Sequence, residues 1–181
     1  MLDYSLPATF ARLDSLEVRL CLPVNSAGRY PLVRNYFAAV SRLGDGVAWY
    51  TLIAILPLLF GRNAILPGLH MVLTGLVGVA IYKLLKRRLV RERPFHSHQG
   101  VLALVSPLDR YSFPSGHTLH AVSFTVMLAH YYPQLNWLVV PFAASVAASR
   151  VVLGLHYPSD VLAGGLLGWL LAVTSLAIFS F

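Results

Sequence analysis

The feature that most limits what this chain can fold into is a set of five apolar tracts, 47–60, 64–90, 117–132, 135–152 and 158–181, separated by short polar or proline-bearing stops. A bilayer offers no water to backbone N–H and C=O groups, so tracts of this kind are expected to cross it as helices. Composition agrees. Of 181 residues, 57% are hydrophobic and only 12% charged, and the mean hydropathy is +0.67, too apolar for a soluble domain of this size. The first tract is short for a hydrocarbon layer of ~30 Å and is expected to recruit part of residues 34–46. Trp49 and Tyr50 stand where an interfacial aromatic belt would place them.

Residues 8–21 put Phe10, Leu13, Leu16 and Leu20 on one helical side and Arg12, Asp14, Ser15 and Arg19 elsewhere, which suits a helix lying in the interface. Pro23, Asn25, Gly28 and Pro31 are expected to break the chain after it. The expected architecture is an all-α, polytopic membrane bundle of about five transmembrane helices plus an N-terminal interfacial amphipathic helix. It forms one domain over residues 1–181, with 1–31 as the interfacial segment. Met1 to Pro7 lacks a basic start followed by an apolar core, so no cleavable signal peptide is expected there. Cys21 is the only cysteine, and Arg19 stands two residues before it where a lipid-attachment signal has small apolar residues, so it reads as an ordinary thiol.

Fourteen Lys and Arg against seven Asp and Glu give a net charge of +7. The basic residues gather in blocks beside the apolar tracts, which argues against a nucleic-acid partner and for membrane anchoring or a phosphate-bearing substrate. A helix that ends on one side of a membrane obliges the next to begin there. By that count the block from Lys86 to Pro94, the stop at Phe113 to His117, Ser149-Arg150 and His156 to Asp160 meet at one face.

At the stop, Ser115 is placed to cap a helix whose free N–H groups and positive dipole end favour an anion, and His117 adds a group that exchanges protons near neutral pH. Lys86 and Arg93 are seven residues apart, so a continuous helix would project both toward one anion. Lys83, Arg87, Arg88 and Arg91 read as a positive membrane anchor. Arg150 closes an apolar tract, where a charge must be paired, solvated or functional. Asp160 can accept from one nitrogen of His156 and leave the other free as nucleophile or base. Two histidines in a ring of cations and helix N–H groups match phosphoryl transfer. Asp160 is the only well-placed acid and is engaged by His156, so neither a metal nor another cofactor is expected.

Here the chain resembles the phosphatidic acid phosphatase type 2 family of integral membrane lipid phosphatases, relatives of bacterial acid phosphatases and vanadium haloperoxidases. Lys86 with Arg93 and Pro94 matches the first family motif, Pro114 to His117 the second, and Ser149, Arg150, His156 and Asp160 the third, complete and in order over residues 86–160. The resemblance implies His156 as a nucleophile forming a phosphohistidine, Asp160 as its orienter and His117 as the acid for the leaving group. It also implies Lys86, Arg93, Ser115, Gly116 and Arg150 as ligands of the phosphoryl oxygens. The expected activity is hydrolysis of a lipid phosphomonoester or diphosphate, of phosphatidate, phosphatidylglycerophosphate or polyprenyl diphosphate type. Alternatives are a lipid phosphotransferase using the same intermediate and a non-catalytic phospholipid-binding or transport protein.

Of the other polar residues, His120 is expected to serve helix packing, His96 and His98 to be solvated, Asp109 and Arg110 to form a loop ion pair, and Asp45 to cap a helix. Gly164, Gly165 and Gly168 serve internal packing or a dimer. Thirteen of the fourteen Lys and Arg fall on the site side of the crossing count, with Arg62 opposite. Charge bias therefore expects a site at the cytoplasmic face of a bacterial inner membrane, whereas many bacterial members of the family work at the outer face.

Overall fold

A computed structural model describes residues 8–179, with side chains from Leu13 onward; Phe10, Arg12 and the stretch read for a signal peptide lie outside these. Eight α-helices follow in order: α1 (Ala8–Ala27), α2 (Pro31–Arg42), α3 (Ala48–Phe60), α4 (Ile65–Arg88), α5 (Pro94–Ser97), α6 (Gly116–Tyr131), α7 (Asn136–Val152) and α8 (Pro158–Ile178). Among the described residues, four stretches are long and apolar enough to cross a membrane: Pro31–Phe60, Arg62–Arg88, Pro133–Val152 and Pro158–Ile178. The remaining expected crossing is α6, which at 16 residues is shorter and packs against α4, α7 and α8.

The first crossing does recruit upstream residues. Ser41 bonds to Arg150, Gly44 sits on Val146, Trp49 lies between Phe124 and Phe142, and Phe60 stacks on Tyr132. From Ser41 to Phe60 the chain thus runs beside α7 from its C-terminal to its N-terminal end. A kink at Asp45 and Gly46, the latter at φ 123°, joins α2 to α3. Trp49 is not part of an aromatic belt: it is 1% exposed, while Tyr50 beside it is open. A wide indole ring fills the space between α6 and α7 and stabilises the bundle more by that burial than at a membrane surface.

The amphipathic N-terminal helix is present but longer than expected. It continues through Pro23 to Ala27, because a proline removes one N–H and bends a helix without ending it when the flanks are packed. Leu16 and Leu20 face outward while Asp14, Cys21 and Asn25 are buried against the protein. Asn25 fixes the helix end by donating to the carbonyls of Leu102 (2.9 Å) and Val152 (3.0 Å) and accepting from the Leu102 N–H (2.8 Å). Burial pushes the Cys21 thiol up to about 12, in keeping with an unreactive cysteine.

α6 and α8 meet almost backbone to backbone. A Cβ added at Gly164 would stand 2.4 Å from the Ser115 carbonyl oxygen, and one at Gly168 only 2.2 Å from that of Leu119. These glycines therefore serve internal packing. Gly165, whose added Cβ would meet nothing closer than 3.8 Å, is not part of the seam. The close approach brings the Ser115 N–H within 3.0 Å of the Asp160 carbonyl, tying the start of α6 to the start of α8.

Gly168→Val is expected to destabilise the protein by about 3 kcal/mol or more by forcing α6 from α8. Gly165→Ala is expected to change stability by less than about 0.5 kcal/mol. Thermal unfolding of the detergent-solubilised variants measures both.

Candidate active site

The start of α6, the ends of α4 and α7, the loop after α4, the turn before α8 and the bend between α2 and α3 border a cavity of about 380 Å³ that holds Lys86, Arg93, Gly116, His117, Arg150 and His156. Five of the eight residues singled out by sequence thus reach one space as side chains, and Gly116 reaches it as backbone. Ser115 and Asp160 stand immediately behind the wall, fully buried. Ser115 caps α6 as expected, its Oγ accepting from the Thr118 N–H at 3.4 Å.

Lys86 and Arg93 do converge, but not along one helix. α4 ends at Arg88, the chain then runs extended, and Pro94 opens the short helix α5 where it was expected to close the long one. Run on past Arg88, α4 would have carried the basic residues away from the site. Asp109 joins the two cations. It accepts from Lys86 Nζ at 2.7 and 2.8 Å and from Arg93 Nη2 at 2.7 Å, so it is not the partner of Arg110, whose guanidinium lies 5.7 Å from the Tyr111 ring centre. Burial works to raise the Asp109 carboxyl, but Lys86 and then Arg93 outweigh it and hold it below its ordinary range.

Arg93 also fixes His156. Its Nη1 donates to the Leu155 carbonyl at 2.7 Å and lies 3.3 Å from His156 Nε2. Guanidinium has no acceptor, so Nε2 must offer its lone pair and the ring proton sits on Nδ1. Nδ1 is buried without a hydrogen-bond partner, and Asp160 Oδ2 is 3.6 Å away, just beyond bonding range. Burial, with the charges of Arg150, Arg93 and Lys86, holds the His156 pKa well below its ordinary value, which favours the neutral ring whose Nε2 faces Arg93. Arg150 is 3% exposed, donates to Ser41 Oγ and keeps its Nε without a partner.

Asp45 does not cap α3. The kink turns it toward the cavity, where its Oδ1 lies 3.4 Å from His117 Nε2. His120 meets the packing expectation, its nitrogens lying 3.0 Å from the Gly116 carbonyl and 3.1 Å from that of Gly75. His96 lies against Phe95, and His98 is set edge-on to Tyr157 with its Nε2 buried.

The residue that sequence reasoning missed is Arg91. It reads as an anchor, yet its side chain is 0% exposed. Arg91 Nη2 donates to Asp14 Oδ1 at 2.5 Å and Glu17 Oε2 at 2.6 Å; Nη1 donates to Ser159 Oγ at 2.7 Å and Asp160 Oδ1 at 2.6 Å. Glu17 completes the link by accepting from the Ser159 N–H at 2.6 Å. Burial pushes the Arg91 pKa down, but Asp160, Glu17 and Asp14 outweigh it and the net direction is up. Asp160 thereby has one oxygen on Arg91 and the other on the Tyr157 N–H, at 2.8 Å, which fixes the carboxylate behind His156. A charge run looks uniform in sequence; the only signal was the unassigned pair of acids, Asp14 and Glu17, on α1. Arg91→Met should cost about 3–5 kcal/mol, as for any buried ion cluster stripped of one partner. The exposed Arg88→Gln should cost under about 0.5 kcal/mol, both read by thermal unfolding.

The chain can now be compared with known proteins. The family model described as PAP2 superfamily matches residues 67–181. An undecaprenyl-diphosphatase of Sulfolobus acidocaldarius is 31% identical over 142 residues, covering 78% of this chain and 68% of that protein. A lipid A 1-phosphatase of Rhizobium etli is 28% identical over 191 residues, covering 92% and 82%. Among solved structures, Aquifex aeolicus LpxE superposes with a TM-score of 0.78 at 27% identity, covering 90% of this chain and 95% of that one. The PAP2-type phosphatidylglycerolphosphate phosphatase of Bacillus subtilis gives 0.74 at 26%, covering 95% and 87%. With its family motifs gathered round one cavity at the end of a membrane helical bundle, this chain belongs to the PAP2 superfamily as a membrane lipid phosphatase.

Proposed function

We propose that the protein hydrolyses a lipid phosphomonoester or diphosphate through a phosphohistidine on His156. The observation that carries this is the placing of a neutral His156, its Nε2 held 3.3 Å from Arg93, in the same cavity as His117 and three cations. Its Nε2 attacks phosphorus, the bond to the leaving oxygen breaks, and His117 gives that oxygen its proton. Water then attacks the phosphohistidine, His117 takes a proton from it, and phosphate leaves. Lys86, Arg93, Arg150 and the N–H group at Gly116 face the nonbridging oxygens, where charge-assisted bonds count most in a water-poor site, while Ser115, its N–H taken by the Asp160 carbonyl, serves from behind by capping α6. Asp160 steadies the Nδ1 side of His156 as that ring becomes positive. Among the described residues no three His, Cys, Asp or Glu side chains gather in metal-ligating array.

The relatives' names support a prenyl diphosphate or a lipid phosphomonoester as substrate. Phosphate release from such lipids in neutral detergent should fall by at least about a thousandfold in His156→Ala, be inhibited by vanadate and persist in EDTA. Retained activity in His156→Ala would overturn the proposal.

The charge bias supports a cytoplasmic site in a bacterial inner membrane, although seven of the thirteen basic residues on that side serve the cavity or the Arg91 cluster. Arg12, Arg19, Arg29, Arg34, Arg42 and Arg88 remain, against Arg62. Buried Cys21 is a poor reporter, so exposed positions are needed. In a Cys21→Ala background, an impermeant thiol reagent on intact cells should label Asn63→Cys and spare Tyr30→Cys; the reverse pattern places the site outside.

A further inference from the structure

The run of basic residues at the end of α4 is sorted by its surroundings. Arg91 turns inward to the acids of α1, Arg88 stays outside the cavity, and Lys83, Lys86 and Arg87 line it. Positions 83, 86 and 87 are neighbours on one helical face. Arg110 lines the cavity from the loop. Lys86, Arg93 and Arg150 are buried around the histidines, whereas Lys83, Arg87 and Arg110 are exposed. The carboxylates of the cavity are already engaged, Asp109 by Lys86 and Arg93, and Asp45 by its position against His117.

Six cations and two carboxylates leave the lining at +4 before the proton that His117 carries as acid is counted. One phosphomonoester brings about −1.5 to −2 near pH 7, so a single phosphoryl group held by the buried cations leaves about two positive charges without a counterpart. We infer that Lys83, Arg87 and Arg110 form a second anion subsite, and that the substrate is a lipid diphosphate. Its terminal phosphoryl lies at His156 and its inner phosphate on this subsite. The inference rests on the phosphatase reading. In that pose His156 forms the N–P bond, the bond from the terminal phosphorus to the bridging oxygen breaks, and the leaving lipid monophosphate keeps the electron pair. Lys83 and Arg87 then hold the charge that grows on the departing group, which a monophosphate substrate does not place there.

The test uses the full chain in neutral detergent, with inorganic pyrophosphate and orthophosphate as calorimetric probes. Lys83→Gln with Arg87→Gln should weaken pyrophosphate about tenfold and orthophosphate less than twofold, while Arg88→Gln changes neither. On a same-tail pair of lipids, the double variant should lose about tenfold in kcat/KM for the diphosphate and less than threefold for the monophosphate. Equal losses for both probes, or no loss for either, overturn the subsite. So does a variant that keeps its pyrophosphate affinity and loses only binding to phosphatidylglycerol vesicles, which would make these residues membrane anchors. Should the native protein release phosphate from neither lipid, the phosphatase reading fails, and the pyrophosphate affinities still decide the subsite.

Discussion

Everything near His156 depends on a fully buried guanidinium. Arg91 has no water to solvate its charge, so it must be met by carboxylates. Two come from α1 and one from α8. Because Asp160 is one of the three, the same interaction that docks the N-terminal helix also fixes the carboxylate behind His156. Glu17, bonded to the first turn of α8, makes the docking two-sided. What looks like a peripheral amphipathic helix is therefore part of the frame around His156.

A second frame comes from the cations. Lys86, Arg93 and Arg150 sit side by side and repel, and their positions hold because each has a fixed partner. Asp109 binds the first two, backbone carbonyls at Tyr111 and Leu155 take further protons from them, and Ser41 meets the third. A phosphoryl group entering this cavity meets positive charges already fixed in place, so little of the site has to be reorganised to receive it.

The legible part of the site in the sequence was the part encoded locally. A serine ahead of a helix and a histidine beside it carry their geometry in their spacing and fall where spacing put them; the histidine four residues before an aspartate comes near it, but at 3.6 Å, because Asp160 is turned to Arg91 and the Tyr157 N–H. Lys86 and Arg93 also meet, though by a route that spacing got wrong, since the helix frays at Arg88 and an extended segment does the work. Arg91, Asp45 and Asp109 were misjudged for one reason. Each is defined by a partner far along the chain or across the cavity, such as Asp14, 77 residues from Arg91, and no local pattern marks such a pair. The apolar tracts gave the bundle because hydrophobic length is read directly, while Trp49 was misplaced because burial in the protein and burial in lipid ask for the same residue types.

The seam between α6 and α8 bears on how chains of this build diversify. Gly164 and Gly168 lock the two helices carrying His117 and Asp160 together, with the Ser115 backbone bonded across the seam, so one histidine of the cavity and the carboxylate behind the other are borne on one unit. The facing wall, the bend between α2 and α3 that bears Asp45, is also closely packed, since a Cβ added at Gly44 would stand 2.6 Å from a Val146 methyl group. Both walls of the cavity are thus narrowly constrained: on the bend Gly46 holds a left-handed φ of 123° and Asp45 faces His117, so an exchange there reaches the site as directly as one in the seam.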